Sequence, residues 1–427
     1  MVTNNVLVKP PGYETVQIQL TSPLLHIGSA VSWLNPFEYV QTSQKVYLPN
    51  QDALARILNQ RGNQREYLNK YIRRIEDRQE ITSLLREAID EDWQTAVSDR
   101  NEPVFPQAMS SQKWVDGRIT DLRPMIRNGM GQFYIPGTSI KGAIRTAIVY
   151  HMLKHSHRYK LPKEQRVSEI EHRLRRNIGD LKRKAKFTDD SLFMNRLFCS
   201  FNLTYQGKAV PAREGPNTDF MRAVKVTDST PLVERKFTRP NGKPGVLNLS
   251  IVPEVIISSY FLDNRAKYRA SIYAEMVRAV KTSFSICLDT EMLSWFRGEQ
   301  GLKIPFKSVS ELLEICQEFA QDQWNAEYDY WHNTKDNSDA RGKNLDFSHI
   351  RHFYKPKQCP FSLRLGWGSG LLGTTIGLLL KDELRAEIRD ICGIRAPNFE
   401  APKSRRTVVN RSSEIRFVPG WSRLKSV

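Results

Sequence analysis

Cysteine is scarce in this chain. Its five residues (Cys199, Cys287, Cys316, Cys359 and Cys392) are scattered, odd in number and never in a CxxC pair. That pattern excludes a disulfide framework and a cysteine-based zinc site, and predicts a reducing, cytoplasmic setting. Long apolar runs are also missing. The longest mostly apolar stretch, Leu371 to Leu380, is half of what a membrane span requires, so no membrane partner is expected. Met1 to Pro10 has neither the basic start nor the apolar stretch of a secretory signal. No GxSxG or Cys/His signature supports nucleophilic hydrolysis, and no Gly-Lys-Ser/Thr closes a P-loop. No repeat of short fixed period is present.

Positive charge is what the chain has in excess. Over 427 residues, Lys+Arg number 64 against 46 Asp+Glu, a net charge of +18. A polyanion is the first partner this suggests, because cations that neutralise phosphates release counterions. The charge is clustered, with eleven basic and four acidic residues from Arg158 to Lys186 and seven basic to one acidic from Lys403 to Lys425. Clustering reads as a nucleic-acid footprint more readily than as a merely soluble surface. A hydrophobic fraction of 40% with 26% charged residues describes a folded chain, long enough for two or three domains.

Short strands mix with helices, which predicts an α+β fold. Val16, Ile18 and Leu20 alternate with glutamines as a half-buried strand, expected to stop at Pro23. Helical spacing covers Asp52 to Asp99, and a turn-rich connector runs from Asn101 to Gly131. Phe133 to Ile135 reads as a strand and Ser139 to Leu153 as a helix. Val167, Ile170, Leu174, Ile178, Leu181 and Ala185 form an apolar stripe under a basic face. A strand holds Val224 and Val226. Thr238 to Pro244, with Asn241-Gly242 inside it, is a hairpin or boundary signal. Helix is expected from Val309 to Trp324, then a loop from Asn333 to Asn344. Phe361 to Leu365 reads as a strand, Leu371 starts an apolar helix, and Ile415 to Trp421 reads as a closing hairpin. The expected division is a first domain over 1–235, with helical insertions at about 51–100 and 158–186, and a second over 236–427.

Two segments could carry chemistry. In Ile135 to Arg145, a Pro136-Gly137 turn precedes a helix that Thr138 or Ser139 could cap, and free amides at such a terminus suit a phosphate. Lys141 and Arg145 share one face of that helix. In Gly366-Trp367-Gly368-Ser369-Gly370, the glycines formally match GxGxxG with Gly373. The acidic residue that a dinucleotide fold needs on a second strand is absent, so a sugar-phosphate chain fits better. For each segment the plainer reading is an ordinary capped helix or a tight turn. His151, His155 and His157 lie close together, but Met152 stands where a zinc protease carries Glu. Lys154, Arg158 and Lys160 would repel a cation, so no metal or other cofactor is expected. Asp346, His349 and His352 form a similar cluster with no assigned role.

Five blocks together resemble the RAMP proteins of CRISPR effector complexes. Within that superfamily they are most similar to the type III-A (Csm) subunit that caps the guide's 3′ end. The blocks are Ser22 to Ser29, Ile135 to Arg145, Phe220 to Ser229, Leu363 to Thr374, and Pro402 to Arg406 followed by Gly420 to Leu424. The resemblance implies a fold of two ferredoxin-like (RRM-like) units with helical insertions. It implies a non-catalytic subunit that binds CRISPR RNA in antiviral defence, beside other RAMP and large subunits. Target RNA would be met indirectly, and host nucleases would be positioned to trim the guide. The RNA-binding set it implies is His26, Gly28, Ser29, Gly137, Thr138, Ser139, Lys141, Arg145, Arg364, Gly366, Trp367, Gly368, Ser369, Gly370, Arg405 and Arg406. Ala30 departs from the family glycine. The aspartate with which sister subunits cut target RNA has no counterpart between Gly28 and Asn50, where Glu38 is the one acid. No catalytic residue is therefore expected. The rival readings are a RAMP endoribonuclease with His26 as general base and a protein-only scaffold.

Overall fold

A computed structural model describes residues 12–179, 194–391, 402 and 404–427. Leu181 and Ala185 of the apolar stripe, the basic run from Lys182 to Lys186, Cys392 and Lys403 lie outside the described residues. Strands of five or more residues are β1 (Tyr13–Leu25), β2 (Phe201–Tyr205), β3 (Glu254–Tyr260), β4 (Ala266–Ala274), β5 (Met276–Asp289), β6 (Arg405–Val409) and β7 (Trp421–Ser426). Helices of ten or more are α1 (Gln51–Gln60), α2 (Glu66–Glu76), α3 (Gly137–Lys154), α4 (Val167–Arg176), α5 (Val309–Asn333) and α6 (Asp382–Ile391).

The long pair β1 and β5 organises the molecule. They run antiparallel in register from Tyr13 opposite Asp289 to Leu25 opposite Val277. Around them a nine-stranded sheet is ordered Leu363–Arg364, β7, β1, β5, Leu249–Val252, Ser110–Lys113, Lys45–Tyr47, Val40–Gln41, with Val224–Val226 also on β5. A second sheet is ordered Ile415–Phe417, β6, β3, β4, Leu122–Arg123. The α+β expectation holds. The boundary expected at residue 235 crosses the first sheet, because β1 lies before it and β5 after it.

Alternation on β1 puts Ile18 and Leu20 on the face where α3 and α5 pack. Ile140, Ile144, Ala147 and Ile148 of α3 meet Leu312, Ile315, Cys316 and Phe319 of α5 in one buried core. Each isoleucine, leucine and phenylalanine among these contributes about 1.5–3 kcal/mol on burial. The C-terminal half of α5 enters a second, aromatic core in which Trp324, Trp331, Phe347, Tyr354 and Trp421 are all fully buried. The insertion after β1 closes its own core around Leu54, Leu58, Leu85, Trp93 and Phe105. Among the described residues no helix is long and apolar enough to cross a membrane.

Local expectations fail where tertiary pairing overrides local signals. β1 continues two residues past Pro23. There the register skips a pair, Ala279 opposite turns to φ +51°, and its carbonyl accepts from Asn248 N–H. Proline's missing donor therefore goes unused. Phe133 to Ile135 is no regular strand. Phe133 makes an isolated bridge to Arg127, and the segment bonds to residues 229–232. The connector after Asn101 contributes a short strand to each sheet. α5 runs nine residues past Trp324, held by its aromatic face. The helix from Leu371 breaks into the short helices Gly370–Thr374 and Gly377–Leu379 before α6. Ile415–Phe417 and β7 do not form a hairpin; at Pro419-Gly420 the chain crosses from the second sheet to the first. The hairpin at Asn241-Gly242 forms as expected, between Arg235–Thr238 and Pro244–Leu247.

Candidate nucleic-acid interface

The glycine-rich turn sits where three backbone segments meet. Gly366 takes φ +76°, and a Cβ there would lie 2.1 Å from the His26 carbonyl oxygen. The next amide, Trp367 N–H, donates to that same oxygen at 3.1 Å. A Cβ on Gly368 would come within 2.4 Å of Pro419 Cγ. These glycines answer the close approach of the loop after β1 and the crossover before β7. That corrects their reading as a phosphate cradle. The Trp367 and Ser369 amides bond within the protein, and Gly368 and Ser369 are buried.

The turn presents Trp367 between two guanidiniums. Arg406 Cζ lies 4.4 Å from its ring centroid and Arg123 Cζ lies 5.1 Å away. Arg123 also reaches the ring of Trp33 at 6.0 Å, and Trp33 is 62% exposed. The bridges Gly28 to Met125 and Leu34 to Leu122 lay the loop carrying Gly28, Ser29 and Trp33 beside Arg123. Gly28 is exposed and Ser29 partly so. Among the described residues neither Arg123 nor Arg406 has a carboxylate partner. Burial, and then the charges of Arg123 and Arg364, push the Arg406 guanidinium below its ordinary pKa. An anion placed here would relieve that crowding, and the exposed ring of Trp33 offers stacking surface.

Other expected cations have internal duties. Arg364 Nη1 lies 3.3 Å and Arg405 Nε 3.0 Å from Glu327 Oε1, with all three side chains at most 5% exposed. Glu327 also accepts from Trp331 Nε1 at 3.1 Å. Burial raises the Glu327 pKa, but Arg405 and Arg364 outweigh it and hold the carboxyl below its usual range. This pair of arginines is a buried charge cluster, not a phosphate contact. His26 is likewise fully buried, with Nδ1 2.6 Å from the Glu275 carbonyl oxygen and its ring edge-on to Trp367 at 5.5 Å. Burial chiefly lowers its pKa to about 4, against the Glu275 hydrogen bond. In this position it can neither stack on a base nor reach a 2′-hydroxyl.

The first turn of α3 is also occupied from within. Gly137 N–H donates to Asp228 Oδ1 at 2.7 Å, so a carboxylate already sits where a phosphate was expected. Neither Thr138 nor Ser139 caps the helix. Gly137 packs so closely on Val226 that a Cβ would meet its carbonyl oxygen at 2.3 Å. Lys141 Nζ donates to the Val224 carbonyl at 2.7 Å, and burial lowers its pKa. Arg145 pairs with Asp219 at 2.6 Å over the Phe198 ring. Lys141 and Arg145 thus dock α3 onto residues 219–228, leaving Thr138 exposed and Ser139 half-buried at the rim.

Of the expected residues, Gly28, Ser29, Gly366, Trp367 and Arg406 come together at one surface, and Gly370 continues that turn. Sequence reasoning missed Arg123 and Trp33. Trp33 was legible as an apolar residue stranded in a Gly/Ser/Asn loop. Arg123 carries no pattern, because its two-residue strand has no periodicity.

A family profile described as the RAMP superfamily matches residues 17–357. A curated relative, the "CRISPR system Cms protein Csm5" of Enterococcus italicus, is 30% identical over 150 residues. The match covers 31% of this chain and 42% of that relative. The fold resembles a chain of a "Csm-crRNA-target RNA ternary complex in type III-A CRISPR-Cas system" with TM-score 0.60 and 22% identity. That likeness covers 96% of this chain and 100% of the other. It also resembles T. onnurineus Csm5 in a crystal structure, with TM-score 0.54 and 20% identity, over 95% and 99% of the two chains. This chain belongs to the RAMP superfamily.

Proposed function

We propose that this chain is a non-catalytic RNA-binding subunit of a type III CRISPR effector complex, seated at the 3′ end of the guide RNA. The observation that carries the reading is the surface of alternating rings and guanidiniums, Trp33, Arg123, Trp367 and Arg406. It combines unpaired positive charge with stacking faces, the combination that single-stranded RNA requires. A net charge of +18 supplies the long-range attraction. The partners are CRISPR RNA and the other RAMP and large subunits, with target RNA met through the guide. Host nucleases would trim the guide where this subunit ends its protection, and the work is done in the cytoplasm. His26, sealed behind Trp367, speaks against the rival endoribonuclease.

The test is to tag the protein in its native host, purify at low salt and sequence the bound RNA. Short RNAs sharing one repeat-derived 5′ tag, with 3′ ends in discrete steps, are expected. Charge reversal at Arg123 and Arg406 together is expected to abolish that RNA. Clean protein without RNA, with partners present, refutes the reading.

A further inference from the structure

α3 ends with His151 and His155 one helical turn apart on a single face. α5 packs against that face and sets Glu318 opposite the pair. One Glu318 oxygen contacts His151 Nδ1, and the other lies 2.8 Å from His155 Nε2. The three ligand atoms all fall within 4.8 Å of one another. The sequence alone argued against a cation here because Lys154 and Arg158 are neighbours. The fold supplies the missing negative charge from another element. Lys154 Nζ is 2.5 Å from Asp322, a carboxylate outside the triad, and 2.9 Å from Glu318. It can therefore release Glu318 and stay neutralised. His151 Nε2 is 2.7 Å from Tyr159 Oη, an outer partner of the kind that orients a ligating imidazole. His151, Tyr159 and Glu318 line a cleft of about 470 Å³, which leaves room for a water.

We propose that His151 Nδ1, His155 Nε2 and the Glu318 carboxylate bind one divalent cation of the zinc class. Two imidazoles and a carboxylate, with a water from the cleft as fourth ligand, suit Zn²⁺ better than Mg²⁺ or Ca²⁺, which prefer all-oxygen shells. Tetrahedral coordination at about 2.0–2.1 Å sets ligand atoms roughly 3.3 Å apart. The imidazole of His151 and the carboxylate would part slightly, while the widest pair of donors, at most 4.8 Å apart, would close toward that spacing. The ion would staple α3, whose Lys141 and Arg145 dock residues 219–228, to α5, which carries Glu327. The site is independent of the RNA reading.

The full chain, stripped with a chelator and dialysed, is titrated with ZnCl₂ by calorimetry, and with Co²⁺ by visible absorption. One ion per chain is expected, with the d–d band of a four-coordinate site and a raised thermal midpoint. His155→Gln is expected to weaken binding on the order of 100-fold and to erase the midpoint gain. His155 is 35% exposed, so this variant folds even where Glu318→Gln does not. His349→Gln, in the other histidine cluster, should change nothing. No uptake at stoichiometric zinc, or uptake that His155→Gln leaves intact, overturns the proposal.

Discussion

Arg405 and Arg406 are adjacent on β6, yet substitution should separate them completely. Successive strand residues face opposite sides. Arg405 points into the core toward Glu327 and over the Tyr330 ring at 3.9 Å, while Arg406 points to Trp367. Arg405→Ala leaves Glu327 with Arg364 alone and opens space beside Tyr330. Breaking one arm of a buried ion cluster costs about 3–5 kcal/mol. The surviving arm and the Trp331 bond place the expected loss near the lower figure. Arg406→Ala instead removes a cation that Arg123 and Arg364 already crowd, so stability should move by less than about 0.5 kcal/mol. Its loss should appear in RNA binding. Losing a stacked guanidinium worth on the order of 1–2 kcal/mol weakens affinity roughly tenfold. The slope of log affinity against log salt should flatten by about 0.7. Urea unfolding gives the first quantity, and anisotropy with a short single-stranded RNA across a salt series gives the second. If Arg406→Ala unfolds the chain as readily as Arg405→Ala, or both weaken RNA binding equally in folded protein, the division between core and interface is wrong.

Three further outcomes are expected. His26 has a pKa depressed from 6.5 to about 4 in the folded chain. Its neutral state therefore adds stability that is fully present above pH 6.5 and is lost as pH falls through about 4. A shift of that size corresponds to about 3 kcal/mol, so the fall in urea midpoint between pH 7 and pH 4 should shrink in His26→Asn; an unchanged fall would refute it. Gly366→Ala, at φ +76° and facing a carbonyl, should cost about 1–3 kcal/mol from backbone strain and more from the clash. Gly28→Ala, with open space around it, should leave stability unchanged, and thermal melts of the two variants check both. Asp228→Ala removes the acceptor at the start of α3 and should cost about 1 kcal/mol in urea unfolding, without reducing RNA affinity.

What was legible in the sequence was the part encoded by local chemistry. The helix from Ser139 to Leu153 carried its apolar period, the Asn241-Gly242 turn carried its dihedral preference, and β1 carried its alternation. What was not legible depended on partners distant in sequence. Nothing near Pro23 announces that Ala279, 256 positions on, will turn to positive φ and let the strand continue in register. Nothing near Ser139 announces that Asp228 will take the helix terminus first. Gly366, Trp367 and Arg406, which come from two of the five blocks, do meet at one surface in the fold. The blocks overstated how many of its cations face outward.

That overstatement has a physical origin. Arginine beside glycine-rich turns reads as phosphate chemistry, but the same pairing arises when a backbone must pass close to a buried charge. Glu327 is the deciding residue. It sits on the aromatic face of a helix, with no motif around it, yet it draws Arg364 from one block and Arg405 from another onto a single carboxylate. Those two arginines fix the relative placement of the glycine-rich turn and β6. Trp367, three residues after Arg364, and Arg406, one after Arg405, are thereby brought together, the guanidinium 4.4 Å from the ring centroid. The buried cluster positions the half-buried pair at the surface. A substitution at Glu327 should therefore weaken RNA binding without touching RNA. Glu327→Gln keeps the shape and the Trp331 contact but leaves two guanidiniums unneutralised. Arg364 and Arg405 should then move apart, and RNA affinity should fall in the folded protein in parallel with stability. A Glu327→Gln variant that is destabilised by about 3 kcal/mol yet binds RNA with full affinity would break the link between the two clusters.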